Sequence, residues 1–274
     1  MSNENFRSNF YGQLGIRSHK SLEDLLCSKK IDLEKLSTLV VSFGVAEKRK
    51  QIWSLLLGVL PPFTETHQFC LQQKQLEFEE IHESIVLFDD VVQEFFQKTG
   101  LEKTRDLTSL SENVLMTLLY YFICKKCRID YACVNLDNVF LNDLIDLAMV
   151  VVHAVGPPIY EAFWLLCGIV DHVPARNVPT QAARMQIIQM IEKEDEELYN
   201  HLTRFKQCSM EQLVERWYRC WFACVFVPEE LPELFDLFIA DHKFLDCVCV
   251  VLFCLLKSEI HRATNAKKII GNCS

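Results

Sequence analysis

FCLQQKQLEFEEIHESIVLFDDVVQEFFQK, which spans residues 69–98, contains neither glycine nor proline. Apolar residues recur in this segment at alternating intervals of 3 and 4, which is the a/d spacing of a helix seam. The side chains that form the seam are Phe78, Ile81, Ile85, Phe88, Val92 and Phe95, with Leu71 one heptad before the first of them. The spacing predicts a long helix over this segment.

The seam has two interpretations. Any helix that faces a core carries such a stripe, and three heptads are a short run. However, Val86, Leu87 and Val91 fall off the seam, so this helix has apolar side chains on more than one side. A helix of this kind needs two neighbours, one inside the domain and one outside it. The seam is therefore a candidate docking surface for a partner helix, with core packing as the alternative.

The rest of the chain also has the pattern of helices. Asp32 is placed to cap a helix over residues 33–43, because its carboxylate can accept a hydrogen bond from an amide of the first turn. Another helix is expected over residues 46–57, with Gly58 at its end. The sequence contains no convincing alternating strand pattern and no Asn-Gly hairpin. We therefore predict an all-α protein, a single domain of about ten or more helices.

Composition limits the class of partner. The 274 residues include 28 Lys and Arg against 37 Asp and Glu, and the net charge of −9 has the wrong sign for nucleic acid or an anionic membrane. The odd number of cysteines, 13, and an N-terminus without an apolar signal region favour free thiols in a reducing compartment. The longest apolar run, residues 247–256, is shorter than the roughly 20 residues that cross a bilayer. We expect a cytoplasmic protein without a transmembrane segment.

Four segments form an ordered set of motifs. They are RKQIWSLLLG at 49–58, FLNDLIDL at 140–147, EAFWLLC at 161–167, and WYRCWF at 217–222 followed by LFDLF at 234–238. The set resembles the signature blocks of the TBC domain family, which read R-x-x-x-W-x-x-L-L-G, Y-x-Q-G-M-x-D-L, D-A-F-W and W-D-L-F. That family has an all-helical fold and activates the GTPase activity of Rab proteins. The resemblance therefore implies the fold class that the periodicity predicts independently.

The resemblance also implies where catalytic residues would lie. Active members insert an arginine, which neutralises charge on the transferring phosphoryl group, and a glutamine from Y-x-Q, which positions the attacking water. An arginine of this kind is worth about 10³–10⁵ in rate in other GTPase activators. Here the glutamine position carries Asn142, one methylene shorter, and Phe140 replaces the tyrosine. Asp143 replaces the following glycine, and its charge would repel a phosphate.

The arginine motif, I-x-x-D-x-x-R, is matched poorly. Arg105 is preceded at the acidic position by Glu102, but Thr99 stands where the family has isoleucine. The resemblance therefore implies a degenerate site with no catalytic residue, in which Asn142 marks one finger position and Arg105 is a candidate for the other.

Other chemistries lack their motifs. The sequence has no G-x-x-x-x-G-K-[ST] phosphate-binding loop and no H-E-x-x-H zinc motif. Cys124 and Cys127 form a C-x-x-C, but a zinc site needs a second pair, which Cys133 alone does not supply. We expect no cofactor and no metal site.

The resemblance extends beyond the domain blocks to one branch of the TBC family and covers nearly the whole chain. The segments that carry it are residues 5–8, 20–23, 34–36, 56–62 and 217–220. This branch binds the C-terminal coiled coil of hamartin and, through hamartin, associates with tuberin in the tuberous sclerosis complex. The complex acts on the small GTPase Rheb and restrains target-of-rapamycin signalling.

The resemblance implies a non-catalytic subunit of that complex. Residues 1–45 would form an N-terminal helical extension packed on the domain, and residues 46–274 the degenerate TBC domain. The rival hypothesis is a Rab GTPase-activating protein with Arg105 and Asn142 as unconventional fingers. A scaffold that binds a Rab GTPase without hydrolysis is a third possibility.

Overall fold

A computed structural model of the chain describes residues 21–101, 106–126, 138–172, 181–204 and 208–262, and most of these residues lie in helices. Within these ranges the only strand-like feature is an isolated antiparallel bridge between Lys30 and Phe63. The predicted all-α fold is confirmed. The helices are α1 (21–26), α2 (Leu33–Phe43), α3 (Arg49–Leu56), α4 (His67–Leu87), α5 (Asp89–Thr99), α6 (Glu112–Lys126), α7 (Asn138–Val155), α8 (Ile159–His172), α9 (Gln181–Glu194), α10 (Glu196–Arg204), α11 (Cys208–Arg219), α12 (Pro232–Ala240), α13 (Lys243–Leu255) and α14 (Lys257–Arg262).

Two predicted helix boundaries are confirmed. The Asp32 carboxylate accepts a hydrogen bond from the Lys35 amide at 3.1 Å and caps α2. After a short 3-10 turn, α3 runs to Leu56, and Gly58 follows with a φ of +69°. Glycine adopts this left-handed conformation at little cost, because it has no Cβ.

The segment 69–98 forms two helices, so the prediction of one long helix is wrong. Phe88 separates α4 from α5 with a φ of −115° and a ψ of 71°. Asp89 and Asp90 then occupy the first turn of α5, where carboxylates interact favourably with the helix dipole. The Phe88 ring packs on Phe122 of α6, with 5.6 Å between ring centroids. The helix therefore breaks without glycine or proline, at the residue whose ring packs on Phe122.

The seam faces the core on both sides of the break. Four of its side chains are buried and two are half-buried against the same core, namely Phe78, Ile85, Val92 and Phe95, then Ile81 and Phe88. Phe78 meets Phe163 of α8 edge-on, with ring centroids 5.4 Å apart, and Phe95 contacts Tyr121 of α6 at 5.7 Å. These neighbours cover the stripe that was expected to be free for a partner. The docking role of the seam is therefore corrected to core packing.

The described N-terminal helices pack on α3 and on the end of α12. A second apolar cluster joins α1 and α2 to α3 through side chains that are all buried, Leu22, Leu26, Ile31, Leu36, Val40, Ile52 and Leu60. The Ser37 hydroxyl donates a hydrogen bond to the Ala240 carbonyl at the end of α12, at 2.6 Å. The N-terminal helices are therefore held against α3 and α12.

The apolar run at 247–256 lies mostly in α13. Cys249, Leu252 and Phe253 are buried, while Val251 and Leu255 are exposed. None of the helices within the described ranges combines the length and apolar character needed to cross a membrane. The cysteines described, such as Cys249, are free thiols.

Candidate functional site

The first and last motifs are joined by a buried ion pair. Arg49 donates from Nε and Nη2 to the two carboxylate oxygens of Asp236, at 2.8 and 2.9 Å. Trp53 donates from Nε1 to the same carboxylate at 2.7 Å. Burial raises the pKa of the Asp236 carboxyl, and the hydrogen bonds from Arg49 and Trp53 act in the opposite direction. These motif residues therefore hold α3 against α12.

The third motif is tied to the first motif and to α4. Lys50 Nζ lies 3.5 Å from the Glu161 carboxylate and donates to the Pro157 carbonyl at 2.8 Å. Trp164 Nε1 donates to the Lys74 carbonyl at 2.8 Å, and Lys74 Nζ lies 3.8 Å from the centroid of the Trp164 ring. The motif residues on α8 therefore position α3 and α4.

The position of the family's glutamine is exposed to solvent. Asn142 lies near the start of α7 with its side chain outward, whereas its neighbours Phe140 and Asp143 are buried. The position therefore carries an exposed amide that is one methylene shorter than glutamine.

Asp143 does not face that surface. Its carboxylate accepts a hydrogen bond from Arg219 Nε at 2.9 Å, and Arg216 Nε lies 3.6 Å from its other oxygen. Burial raises the pKa of the Asp143 carboxyl, while the two guanidinium groups act to lower it. The expected repulsion between Asp143 and a phosphate is therefore corrected, because this charge is neutralised inside the domain.

Arg216 and Arg219 make contacts in this site that the sequence reasoning missed. They lie one turn apart on α11 and converge on α7, which joins the fourth motif to the second. Asp146, one turn after Asp143, shares this environment, and burial together with the Asp143 charge raises the pKa of Asp146 to about 6. The signal in the sequence was a pair of basic residues around Trp217, with Arg216 just before the motif and Arg219 within it.

The remaining catalytic candidate, Arg105, lies outside the described residues, as do Glu102 and the cysteines at 127 and 133. Thr99 ends α5, and Cys124 is buried in α6. Among the described residues, no group of three His, Cys, Asp or Glu side chains could hold a metal ion. The role of Arg105 stays a prediction.

An exposed apolar face lies on the other side of α4 from the seam. Its large side chains are Phe69, Leu76, Val86 and Leu87, with exposed fractions of 63, 53, 64 and 80%. Phe69, Leu76 and Leu87 belong to a line of exposed positions at 69, 73, 76, 80, 83 and 87, which has the alternating intervals of an a/d seam. Glu80 and Glu83 occupy this line between the apolar ends. We call these six positions and Val86 the outer face of α4.

Comparisons with known proteins agree on the family. Residues 46–261 match the Rab-GTPase-TBC domain. TBC1 domain family member 7 of Xenopus tropicalis is 23% identical over 98% of this chain and 87% of its own length, and that of Bos taurus is 24% identical over the same shares. The Homo sapiens protein is 37% identical over 81 residues, 28% of each chain.

A solved structure shares the fold. The crystal structure of the Ypt/Rab-GAP domain of Gyp1p matches with a TM-score of 0.63 at 14% identity, over 93% of this chain and 90% of that one. The resemblance carried by the four motifs is confirmed, and the chain belongs to the Rab-GTPase-TBC domain family.

Proposed function

We propose that this chain is a non-catalytic TBC-domain subunit that binds the C-terminal coiled coil of hamartin. Through hamartin it joins tuberin in the tuberous sclerosis complex, and it stabilises that complex in its action on Rheb and target-of-rapamycin signalling. The relatives named TBC1 domain family member 7 support the proposal, because they match 98% of this chain. In this proposal the protein is cytoplasmic, residues 1–45 are an N-terminal extension packed on the domain, and residues 46–274 are the TBC domain.

The outer face of α4 is the observation that carries the proposal. A single exposed apolar residue is ordinary on a protein surface, but large apolar side chains in seam spacing on one helix indicate an interaction surface. A coiled coil offers the matching geometry, because helix-against-helix packing uses the same spacing on both partners. Burying one such side chain contributes about 1.5–3 kcal/mol, so that a few of them can sustain an interface.

The motif contacts support a role without catalysis. Arg49, Trp53 and Asp236 bind one another inside the domain, as do Asp143 and Arg219. These residues preserve the family's fold without providing a finger. Asn142 is the described finger position, and it carries a side chain one methylene shorter than the family's glutamine.

The proposal is tested by titrating the full chain with the hamartin C-terminal coiled coil in a calorimeter. We expect stoichiometric binding by the wild type and a loss of about 100-fold or more in the variant Leu76→Asp/Leu87→Asp, because it places two charges in an apolar interface. The matched control is Val251→Asp/Leu255→Asp, which changes two exposed residues of α13 and should bind like the wild type. Circular dichroism verifies that each variant is folded. Failure of the wild type to bind at micromolar concentration would refute the proposal.

A Rab GTPase-activating protein is the second candidate. It is favoured by the structural likeness to a Rab-GAP domain and by the exposed amide of Asn142. GTP hydrolysis by a panel of Rab proteins should be measured with the wild type, Arg105→Ala and Asn142→Ala. A large acceleration that Arg105→Ala abolishes supports an enzyme. Stable Rab binding with unchanged hydrolysis instead indicates a Rab-binding scaffold.

A further inference from the structure

The turn that ends α11 has an unusual backbone. Trp221 and Phe222 have φ values of +48° and +64°, in a region that bulky side chains rarely adopt. The Phe222 amide donates to the Trp217 carbonyl at 2.8 Å, and the Trp221 amide donates to the Tyr218 carbonyl at 3.4 Å. These two hydrogen bonds form a Schellman cap, in which Trp221 stands where glycine is usual. The turn is therefore strained.

Packing holds this strained turn in place. Trp221 and Phe222 are both buried. The Trp221 ring meets Phe235 of α12 edge-on, with 5.3 Å between ring centroids, and Phe222 packs on Phe238 at 5.8 Å. Residues in such conformations persist only where their surroundings fix them, and they cluster at functional sites. The groups beside the turn are therefore candidates for a function.

The turn brings two thiols together. Cys220 precedes the two strained residues and Cys224 follows them, and the Ala223 amide closes the turn by donating to the Cys220 carbonyl at 2.8 Å. The Cys220 thiol hydrogen-bonds to the Cys224 sulfur, and the Cys224 amide donates to the Cys220 sulfur. Both cysteines are free. Because the sulfur atoms are in contact, the pair meets the first geometric condition for a disulfide.

The two thiols have different surroundings. The hydrogen bond from Cys220 lowers the pKa of the Cys224 thiol, and the charge of Arg216 acts in the same direction. Burial and the nearby carboxylates of Asp143 and Asp146 act against this change. Cys224 is half-buried, whereas Cys220 is buried and burial raises the pKa of the Cys220 thiol. Since the thiolate is the reactive form, Cys224 is the nucleophile of the pair and Cys220 is the neutral thiol beside it.

We propose that Cys224 is a site of oxidation by hydrogen peroxide and that Cys220 is its resolving thiol. The Cys224 thiolate attacks one peroxide oxygen, so that an S–O bond forms, the O–O bond breaks and the leaving hydroxide takes a proton to become water. Cys220 then attacks the sulfur of the sulfenic acid. An S–S bond forms, the S–O bond breaks, and the Cys220 proton leaves with the hydroxyl group as water. The two thiols lose two electrons, and the peroxide is reduced to two molecules of water.

Oxidation of the pair changes the charges around Arg216. The Cys224 thiolate and the Asp143 carboxylate are both anionic neighbours of this guanidinium, and the Asp143 oxygen lies 3.6 Å from Arg216 Nε. The disulfide removes the thiolate charge and leaves the carboxylate. In a reducing compartment such a disulfide is transient, because thiol–disulfide exchange returns both cysteines to the thiol form. The inference does not depend on the proposed function, because it concerns two residues of one turn and no partner.

The test uses the full chain with hydrogen peroxide as the oxidant, followed by alkylation of the remaining thiols and mass spectrometry. Trypsin releases residues 220–243 as one peptide, which contains Cys220 and Cys224 and no other cysteine. We expect this peptide to lose two hydrogen atoms on oxidation and to regain them with dithiothreitol. The internal reference is Cys27, an exposed thiol that lies alone in the tryptic peptide 21–29. Cys224 should react about 10-fold faster than Cys27, because its surroundings favour the thiolate.

Cys220→Ser separates the two steps of the reaction. Without the resolving thiol the sulfenic acid of Cys224 should accumulate and be trapped by dimedone, whereas the wild type should give the disulfide instead. Cys224→Ser should leave Cys220 reduced, because a buried neutral thiol is inert. Circular dichroism verifies that each variant is folded, and Cys220→Ala replaces Cys220→Ser if the latter is not. The wild type alone can overturn the proposal, either by an oxidised chain without a disulfide inside peptide 220–243 or by a Cys224 that reacts no faster than Cys27.

Discussion

Replacing Asp236 by alanine should destabilise the whole domain, because this carboxylate joins α12 to α3. It accepts two hydrogen bonds from Arg49 and one from Trp53 Nε1, all between 2.7 and 2.9 Å, and its side chain is 4% exposed. Asp236→Ala leaves the Arg49 charge and the indole N–H without their acceptor. Removing one partner of a buried ion pair costs about 3–5 kcal/mol. We expect a loss of that size in the free energy of unfolding.

Urea denaturation followed by circular dichroism measures this loss. With a slope of about 3 kcal/mol/M, the midpoint should fall by about 1–1.7 M. The matched control is Glu77→Ala, which removes an exposed ion pair with Lys74 and should cost less than about 1 kcal/mol. The double variant Arg49→Met/Asp236→Leu should recover much of the stability, since an apolar pair leaves no buried charge. A loss below about 1 kcal/mol in Asp236→Ala would refute the role assigned to this ion pair.

Three further outcomes are expected. Asp146→Asn should be more stable than the wild type at pH 8 by up to about 2 kcal/mol, because burial raises the folded-state pKa of Asp146 to about 6. The stabilising contribution of the protonated carboxyl is present below about pH 4 and is lost as the pH rises through 6. Denaturation at several pH values should therefore show this pH dependence of the free energy of unfolding only in the wild type. Ile85→Asp should unfold the domain and Leu87→Asp should not, because the exposed fractions of the two side chains are 0 and 80%. Equal melting temperatures of these two variants would contradict the packing of the seam. Gly58→Ala should cost about 1–2 kcal/mol in thermal unfolding, because its φ is +69° although nothing within 4 Å would meet the added Cβ. Gly168→Ala should also destabilise the domain, but by crowding, because its added Cβ would lie 3.0 Å from the Leu57 Cβ. An unchanged melting temperature in Gly58→Ala would contradict the left-handed conformation.

The periodicity predicted the fold class because every amphipathic helix displays its buried side in the sequence. The seam from Phe78 to Phe95 shows the limit of this signal. Its spacing identifies a side that must be covered, but the covering residue, such as Phe163 of α8, is distant in the sequence. The off-seam Leu87 was the better indication of a free surface, because one helix side cannot bury residues that point in opposite directions.

The contacts of the candidate site could not be predicted for a similar reason. Arg49 and Asp236 were both recognised as motif residues, but their pairing spans 187 positions and follows from the fold. Asp143 was recognised as a departure from the family pattern. Its carboxylate was expected to face a phosphate at the surface, but it points into the domain and binds Arg219. A residue type at a motif position does not specify whether its side chain points to solvent or to Arg219.

Three ion pairs link the family's motif segments inside the domain. Arg49 with Asp236, Lys50 with Glu161 and Arg219 with Asp143 join the four motif segments to one another. A change in Arg49, Asp236, Arg219 or Asp143 would leave a buried or half-buried charge without its partner, so these residues support the fold. Asn142 has no such constraint, because its side chain is exposed. Family membership therefore follows from residues that hold the domain together, and the function has to be sought on surfaces such as the outer face of α4, where this chain carries its own pattern.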